Sequence, residues 1–239
     1  MKDRLEKLFA GWTVEQPPAP PFPVVTAKPA PGVFLAEKAD VTQTFFSLGL
    51  LGGTLRDPDY PALQVASNIL GSGFTSRLMS QIRTKRGLAY SVGAGWGAQY
   101  NHPGTFRITG STKSASSADA IEAAKTELEK MRATQVTELE LKTAKDSVLN
   151  GFVFFFDSPS KTLNRVLMYE YFGYPKDFLL EYQKKISAVT RADVLRVYKE
   201  RIHPENLTIV AVGNPKEFGK PLSGLGKVET IDLTIPEQK

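Results

Sequence analysis

The segment from Asn68 to Gln99 constrains the fold more than any other stretch, because a helical pattern changes there into a strand pattern. Gly71 and Gly73 predict the end of one helix, since glycine readily takes the left-handed conformation that closes helices. Leu78 and Ile82 stand four positions apart, so they share one face of a second helix. Thr75 or the serine after it is predicted to cap that second helix. The segment therefore predicts two helices in succession.

A strand is predicted to follow the second helix after a stop at Gly87. Apolar residues then alternate with small ones, which is the period-two pattern of a strand. This alternation predicts that Tyr90 and Trp96 share one face and that glycines such as Gly93 occupy the other. Arg83 lies near the end of the helix and Tyr90 opens the strand, so both side chains are expected to converge on one point.

The run S-R-L-M-S-Q-I-R-T-K-R-G-L-A-Y-S-V, residues 76–92, resembles the signature of the second half-domain of M16 metallopeptidases. That family includes pitrilysin, insulin-degrading enzyme and the mitochondrial processing peptidases. In it, an Arg and a Tyr seven residues later contact the substrate backbone near a zinc ion held by a different half-domain. The resemblance implies that Arg83 and Tyr90 are substrate-binding residues.

Composition indicates an ordinary globular chain with room for a core. Of its 239 residues, 41% are hydrophobic and 23% charged, and the net charge of +5 comes from 30 basic and 25 acidic residues. This excess is small and spread along the chain, so the sequence does not indicate a nucleic-acid partner. The absence of cysteine excludes disulfides and thiolate metal ligands.

Residues 1–32 are predicted to form a helical stub and a proline-rich linker. Residues 3–12 carry an apolar helical face, and the prolines that follow favour extended, semi-rigid chain. In M16 chains a similar L-x-K-L-F-x-x-W piece closes the first half-domain, so the resemblance implies a fragment or a chain that begins where a neighbouring domain ends. The alternative is an N-terminal arm held by Trp12 and Phe22. No signal-peptide core or membrane-spanning stretch is visible, and the compartment stays open.

An α+β fold is predicted for residues 33–220, with a mainly antiparallel sheet covered by helices on one side, as in the M16 half-domain. The nearly all-apolar strand Gln43–Leu51 is expected to be central and buried on both faces. The aromatic run Phe152–Phe156 is interpreted as core, with a partner surface as the alternative. Residues 221–239 are expected to form a loosely held tail.

The histidine content argues against a zinc site in this chain. An M16 active site needs H-x-x-E-H on a helix, whereas this chain has only His102 and His203, each followed by proline. Both are interpreted as turn residues. The sequence thus predicts no metal or cofactor in this chain and no activity alone; the resemblance implies zinc on a partner half.

The function implied by the resemblance is that of the non-catalytic half of a zinc-dependent M16 peptidase. Its partners would be a zinc-bearing half-domain or subunit and a peptide substrate. The alternative is a non-enzymatic scaffold similar to the core proteins of respiratory complexes. For the pair itself, the alternative is that Arg83 forms an ion pair with a carboxylate while Tyr90 packs at the strand end.

Overall fold

A computed structural model describes residues 1–13, 20–25 and 30–234 of the chain. The seven α-helices of these residues are α1 Lys2–Phe9, α2 Tyr60–Gly71, α3 Ser117–Ala133, α4 Glu138–Gly151, α5 Pro159–Tyr171, α6 Phe178–Ala188 and α7 Arg191–Arg201. The seven strands are β1 Gly32–Glu37, β2 Gln43–Leu51, β3 Gly53–Thr54, β4 Ala89–Gln99, β5 Pro103–Lys113, β6 Thr208–Gly213 and β7 Val228–Thr230. A π-helix, Met79–Lys85, lies between α2 and β4.

The strands form one sheet in the order β3-β4-β5-β2-β6-β1-β7. β2, β4, β5 and β6 pair antiparallel, whereas β1 runs parallel to both β6 and β7, and β3 runs parallel to β4. The predicted α+β class with a mainly antiparallel sheet is confirmed, although the sheet is mixed rather than purely antiparallel. β6 enters the sheet between β2 and β1 only after the whole helical segment. This long connection allows β6 to run parallel to β1.

The core lies between one face of the sheet and the helices. α2 is its central element: nine of its twelve residues are buried, as expected for a helix surrounded by other elements. α3 turns an apolar stripe toward the core, since Ile121, Ala124, Leu128 and Met131 are all fully buried.

The prediction that β2 is buried on both faces is wrong. β2 is the middle strand of the sheet, but its residues alternate: Phe46 and Leu48 face the helices, while Phe45 is 58% exposed. The helices pack on one face only, and the described residues leave the other face open along this strand. A nearly all-apolar strand in an α+β fold can therefore have one uncovered face.

The aromatic run is not core either. Residues 152–155 form a short 3₁₀ helix, and Val153 and Phe154 are 63% and 65% exposed. Exposed apolar residues continue along α5, at Leu163, Val166 and Leu167. The single-residue spacing of the phenylalanines prevents all of them from facing the same side of a helix.

The N-terminal helix is exposed, whereas the segment after residue 221 packs against the domain. α1 buries none of its residues, and Trp12 stays largely exposed. Phe22 stacks on the ring of His102 at 4.2 Å between centroids. The rest of the predicted linker, residues 14–19 and 26–29, lies outside the described residues. The sequence predicts a loose tail after residue 221; the structure instead buries Leu222 and pairs β7 with β1.

Local sequence motifs mark the ends of three helices. Thr137 and Glu140 form a capping box at α4, and Thr190 and Asp193 form another at α7. Gly173 closes α5 with a φ of +66°. Among the helices of the described residues, none combines the length and the apolar content that a bilayer crossing requires.

Candidate functional site

The site begins at the turn that follows α2. The backbone of Gly73 has a φ of +89°, and its carbonyl accepts hydrogen bonds from the backbone N–H and the hydroxyl of Ser76. Ser76 is buried, so the turn is anchored in the protein interior. Because this hydroxyl donates backwards to Gly73, neither Ser76 nor Thr75 caps the next helix with its side chain, contrary to the sequence prediction.

Arg83 projects from the π-helix rather than from a regular α-helix. Leu78 and Ile82 are fully buried beneath it, as their spacing predicts. The wider turn of a π-helix changes the direction of side chains after the insertion, and such segments occur often at functional sites.

The chain reverses at Gly87, whose φ is +60°. The N–H of Gly87 donates to the Arg83 carbonyl at 3.1 Å, and the N–H of Leu88 donates to the Ile82 carbonyl at 2.9 Å. These two bonds close the helix in the manner of a glycine-terminated C-cap. The reversal brings the start of β4 back beside the end of the π-helix.

Tyr90 is the extra residue of a β-bulge. Ala89 pairs with Thr112 and Ser91 pairs with Ser111, so two steps along β4 match one step along β5. Strict alternation predicts Tyr90 on the same face as Trp96, but Tyr90 is 75% exposed while Trp96 is buried. A bulge redirects the side chain of the inserted residue, and here it turns Tyr90 outward.

Two buried hydroxyls hold the bulge in place. Thr112 donates from its hydroxyl to the Leu88 carbonyl, directly before the bulge. Ser91 and Ser111 share a hydrogen bond of 2.9 Å between their hydroxyls, directly after it. Ser111 and Thr112 are 5% and 1% exposed, so the orientation of Tyr90 is fixed from within the sheet.

The structure brings Arg83 and Tyr90 together on the surface. The Cζ atom of Arg83 lies 5.6 Å from the centroid of the Tyr90 ring and 5.9 Å from that of Phe74. Both distances are within the range of cation–π attraction. The guanidinium therefore has two exposed aromatic rings within cation–π range. Its N–H groups and the Tyr90 hydroxyl are hydrogen-bond donors at the same surface point.

Arg83 has no carboxylate partner in the described residues, whereas the nearby Arg77 forms an ion pair with a carboxylate. Arg77 donates to both carboxylate oxygens of Glu140, at 2.7 and 3.0 Å. The contrast counts against the alternative in which Arg83 serves a structural ion pair. Arg77 joins the π-helix segment to α4, whereas Arg83 is exposed at the surface.

The ion pair between Arg77 and Glu140 can be tested through its dependence on pH. Burial raises the pKa of its carboxyl, but hydrogen bonds from Arg77 and from the backbone of Thr137 outweigh burial and lower the pKa. Because the folded pKa lies below the unfolded value near 4.5, the carboxylate stabilises the fold above that pH and less as pH falls through the folded pKa. We expect Glu140→Gln to cost about 2 kcal/mol of unfolding free energy at neutral pH, measured by urea denaturation.

The difference between wild type and Glu140→Gln is expected to shrink at acid pH. Glu138→Gln, on the same helical turn, is the control, since the Glu138 side chain is 80% exposed in its pair with Arg191. That change should cost at most about 1 kcal/mol. An acid-independent deficit for Glu140→Gln would contradict the assigned origin of the effect.

The histidines do not form a zinc site. His102 stacks on Phe22, and its Nδ1 lies 3.0 Å from the Pro103 carbonyl oxygen. His203 contacts Glu205 and the carbonyl of Glu200. In the described parts of the chain, no three His, Cys, Asp or Glu side chains come together as a metal-binding group. The residues present therefore do not fit a catalytic zinc.

Phe74 is the residue of this site that sequence reasoning missed. It is 81% exposed and lies beside Arg83. A single phenylalanine next to a helix stop is not part of a periodic apolar pattern. Only its position at the turn between the two predicted helices could have suggested a role.

Comparisons with known proteins agree with this architecture. Residues 1–148 match the family model described as the peptidase M16 inactive domain. Over 131 residues, or 55% of this chain, the sequence is 26% identical to the uncharacterised zinc protease YmxG of Bacillus subtilis, covering 32% of that protein.

Solved structures give the same picture at the level of the fold. A peptidase M16 inactive domain from Pseudomonas fluorescens is 25% identical with a TM-score of 0.72, covering 79% of this chain and 45% of that one. A protease from Helicobacter pylori has a TM-score of 0.77 at 21% identity, covering 88% of this chain and 51% of that one.

These findings define the class: an α+β domain of the peptidase M16 inactive type. The chain belongs to the M16 peptidase family, as the inactive, C-terminal type of half-domain. It spans about a third of the curated relative and about half of each of the two solved chains.

Proposed function

We propose that this chain supplies Arg83 and Tyr90 to the active site of a zinc peptidase whose metal is held by a partner half-domain or subunit. The observation that supports it most is the outward turn of Tyr90 beside Arg83, produced by the bulge. Two exposed donors are held together there.

The chemistry of peptide hydrolysis explains what such a pair would do. Negative charge develops on the scissile carbonyl oxygen in the transition state, and fixed donors aimed at that oxygen stabilise it. The Tyr90 hydroxyl is a single donor, and the Arg83 guanidinium is a charged donor with a planar fork. Both would act from outside the zinc coordination sphere, on the peptide held between the two halves.

The pairing with a catalytic half is supported by the family rather than by a partner in the structure. The domain is of the inactive M16 type, and its curated relative is named a zinc protease. These two names do not favour the scaffold alternative.

The isolated chain is expected to hold no stoichiometric zinc and to cleave no peptide. The reason is its donor set, with two histidines, no cysteine and neither histidine in a ligand cluster of the described residues. Elemental analysis of the purified chain, dialysed against zinc-free buffer, checks the expectation. One tightly bound zinc ion per chain would contradict it, and addition of a zinc-bearing M16 partner should restore cleavage.

A further inference from the structure

Phe74 is a large apolar side chain held in water by an ordered turn. Its ring is 81% exposed, although leaving a phenylalanine in water instead of burying it costs about 1.5–3 kcal/mol. The turn that carries it is fixed by the buried hydroxyl of Ser76 and by the conformation of Gly73. The exposed position of the Phe74 ring is therefore set by a hydrogen-bonded turn with a defined backbone conformation.

The position of Phe74 relative to the pair indicates what would cover it. The Arg83 guanidinium lies within 6 Å of both the Phe74 and Tyr90 rings, at 5.9 and 5.6 Å. A peptide whose carbonyl accepts from Arg83 and Tyr90 has its neighbouring side chains within reach of the Phe74 ring. Rigid aromatic anchors beside a hydrogen-bonding centre contribute a large share of binding energy at interfaces.

We propose that Phe74 binds an apolar side chain of the substrate peptide, next to the carbonyl held by Arg83 and Tyr90. The inference rests on the proposed function, because the pair supplies the peptide backbone contact. It adds a specificity determinant: peptides with an aromatic or large aliphatic residue at that position are preferred over peptides with a small polar one. Arg83 recognises the backbone of either kind, whereas Phe74 distinguishes between them.

The test measures peptide binding by fluorescence anisotropy to the partner-reconstituted complex, with zinc removed to prevent cleavage. The probes are two labelled peptides of Ala and Ser, identical except for a central Phe in one and a central Ser in the other. We expect wild type to bind the Phe peptide about tenfold more tightly. Phe74→Ser should abolish that preference, and Phe74→Leu should keep most of it because an apolar contact remains.

Phe154→Ser is the matched control, since Phe154 is also highly exposed but lies in the 3₁₀ segment after α4. It should leave the preference intact, and thermal melts should show that each variant folds. Arg83→Lys is expected to weaken both peptides equally. A preference that survives Phe74→Ser overturns this inference alone, whereas unchanged binding in Arg83→Lys overturns the proposed backbone contact alone. No binding of either peptide to wild type overturns both.

Discussion

Replacing Tyr90 with phenylalanine is expected to lower kcat/KM of the partner-reconstituted enzyme by about two orders of magnitude, or ~3 kcal/mol. The change removes one hydroxyl donor and keeps the ring. Stability should hardly change, because Tyr90 is 75% exposed and its hydroxyl has no hydrogen-bond partner among the described residues. Steady-state peptide cleavage measures the effect, and thermal melts establish that the fold is intact.

Tyr171→Phe is the matched control for this experiment. Tyr171 is 73% exposed at the end of α5, and its ring contacts Phe172 rather than Arg83. It loses the same hydroxyl at a different place, so its kcat/KM should equal that of wild type. Equal activity of Tyr90→Phe and wild type would defeat the proposed donor role.

Arg83→Lys extends the same argument to the second donor. Lysine keeps the positive charge but loses the planar fork of N–H donors. We expect a loss of kcat/KM similar to that of Tyr90→Phe. A lysine variant with full activity would mean that charge alone suffices at this position.

Gly71→Ala is expected to destabilise the fold by about 3 kcal/mol and to lower the melting temperature by roughly 6–12 °C. A Cβ atom at Gly71 would lie 2.0 Å from the backbone nitrogen of Ala94 and 2.5 Å from its Cβ. The end of α2 therefore touches β4 directly, and Ser72 donates to the Ala94 carbonyl at the same contact. Relieving the clash requires the helix and the strand to separate.

Gly151→Ala provides the control for backbone flexibility. Gly151 has helical angles, φ −64° and ψ −16°, and a Cβ there meets nothing within 4 Å. Alanine should be neutral or stabilise the protein by about 0.5–1 kcal/mol. Chemical denaturation of both variants separates the two effects; similar stabilities would contradict the close approach of α2 and β4.

Some of these glycines are required by the local backbone conformation, and one is required by a tertiary contact. Gly73 and Gly87 have positive φ values and end helices, as their local sequence predicts. The local sequence predicts the same role for Gly71, but its φ is not positive and the requirement for glycine comes from Ala94. A contact between residues so far apart in the chain leaves no local signal.

The sequence by itself determined the features that depend on neighbouring residues. These include the capping boxes, the glycine stops, the alternation of β5 and the lack of a histidine pair for zinc. It also predicted that Arg83 and Tyr90 would converge, because a helix, a glycine reversal and a strand follow one another within a few residues.

Only the tertiary structure decided the features that depend on pairing between distant segments. Tyr90 faces outward because β5 offers one residue fewer than β4 at that point, and a one-residue change of register reverses the facing of a side chain. Tertiary packing likewise decides three other features: the parallel pairing of β1 with β6, the open face at Phe45 and the exposure of Phe154. Such contacts are selected by the packing of the whole chain, so no local pattern specifies them.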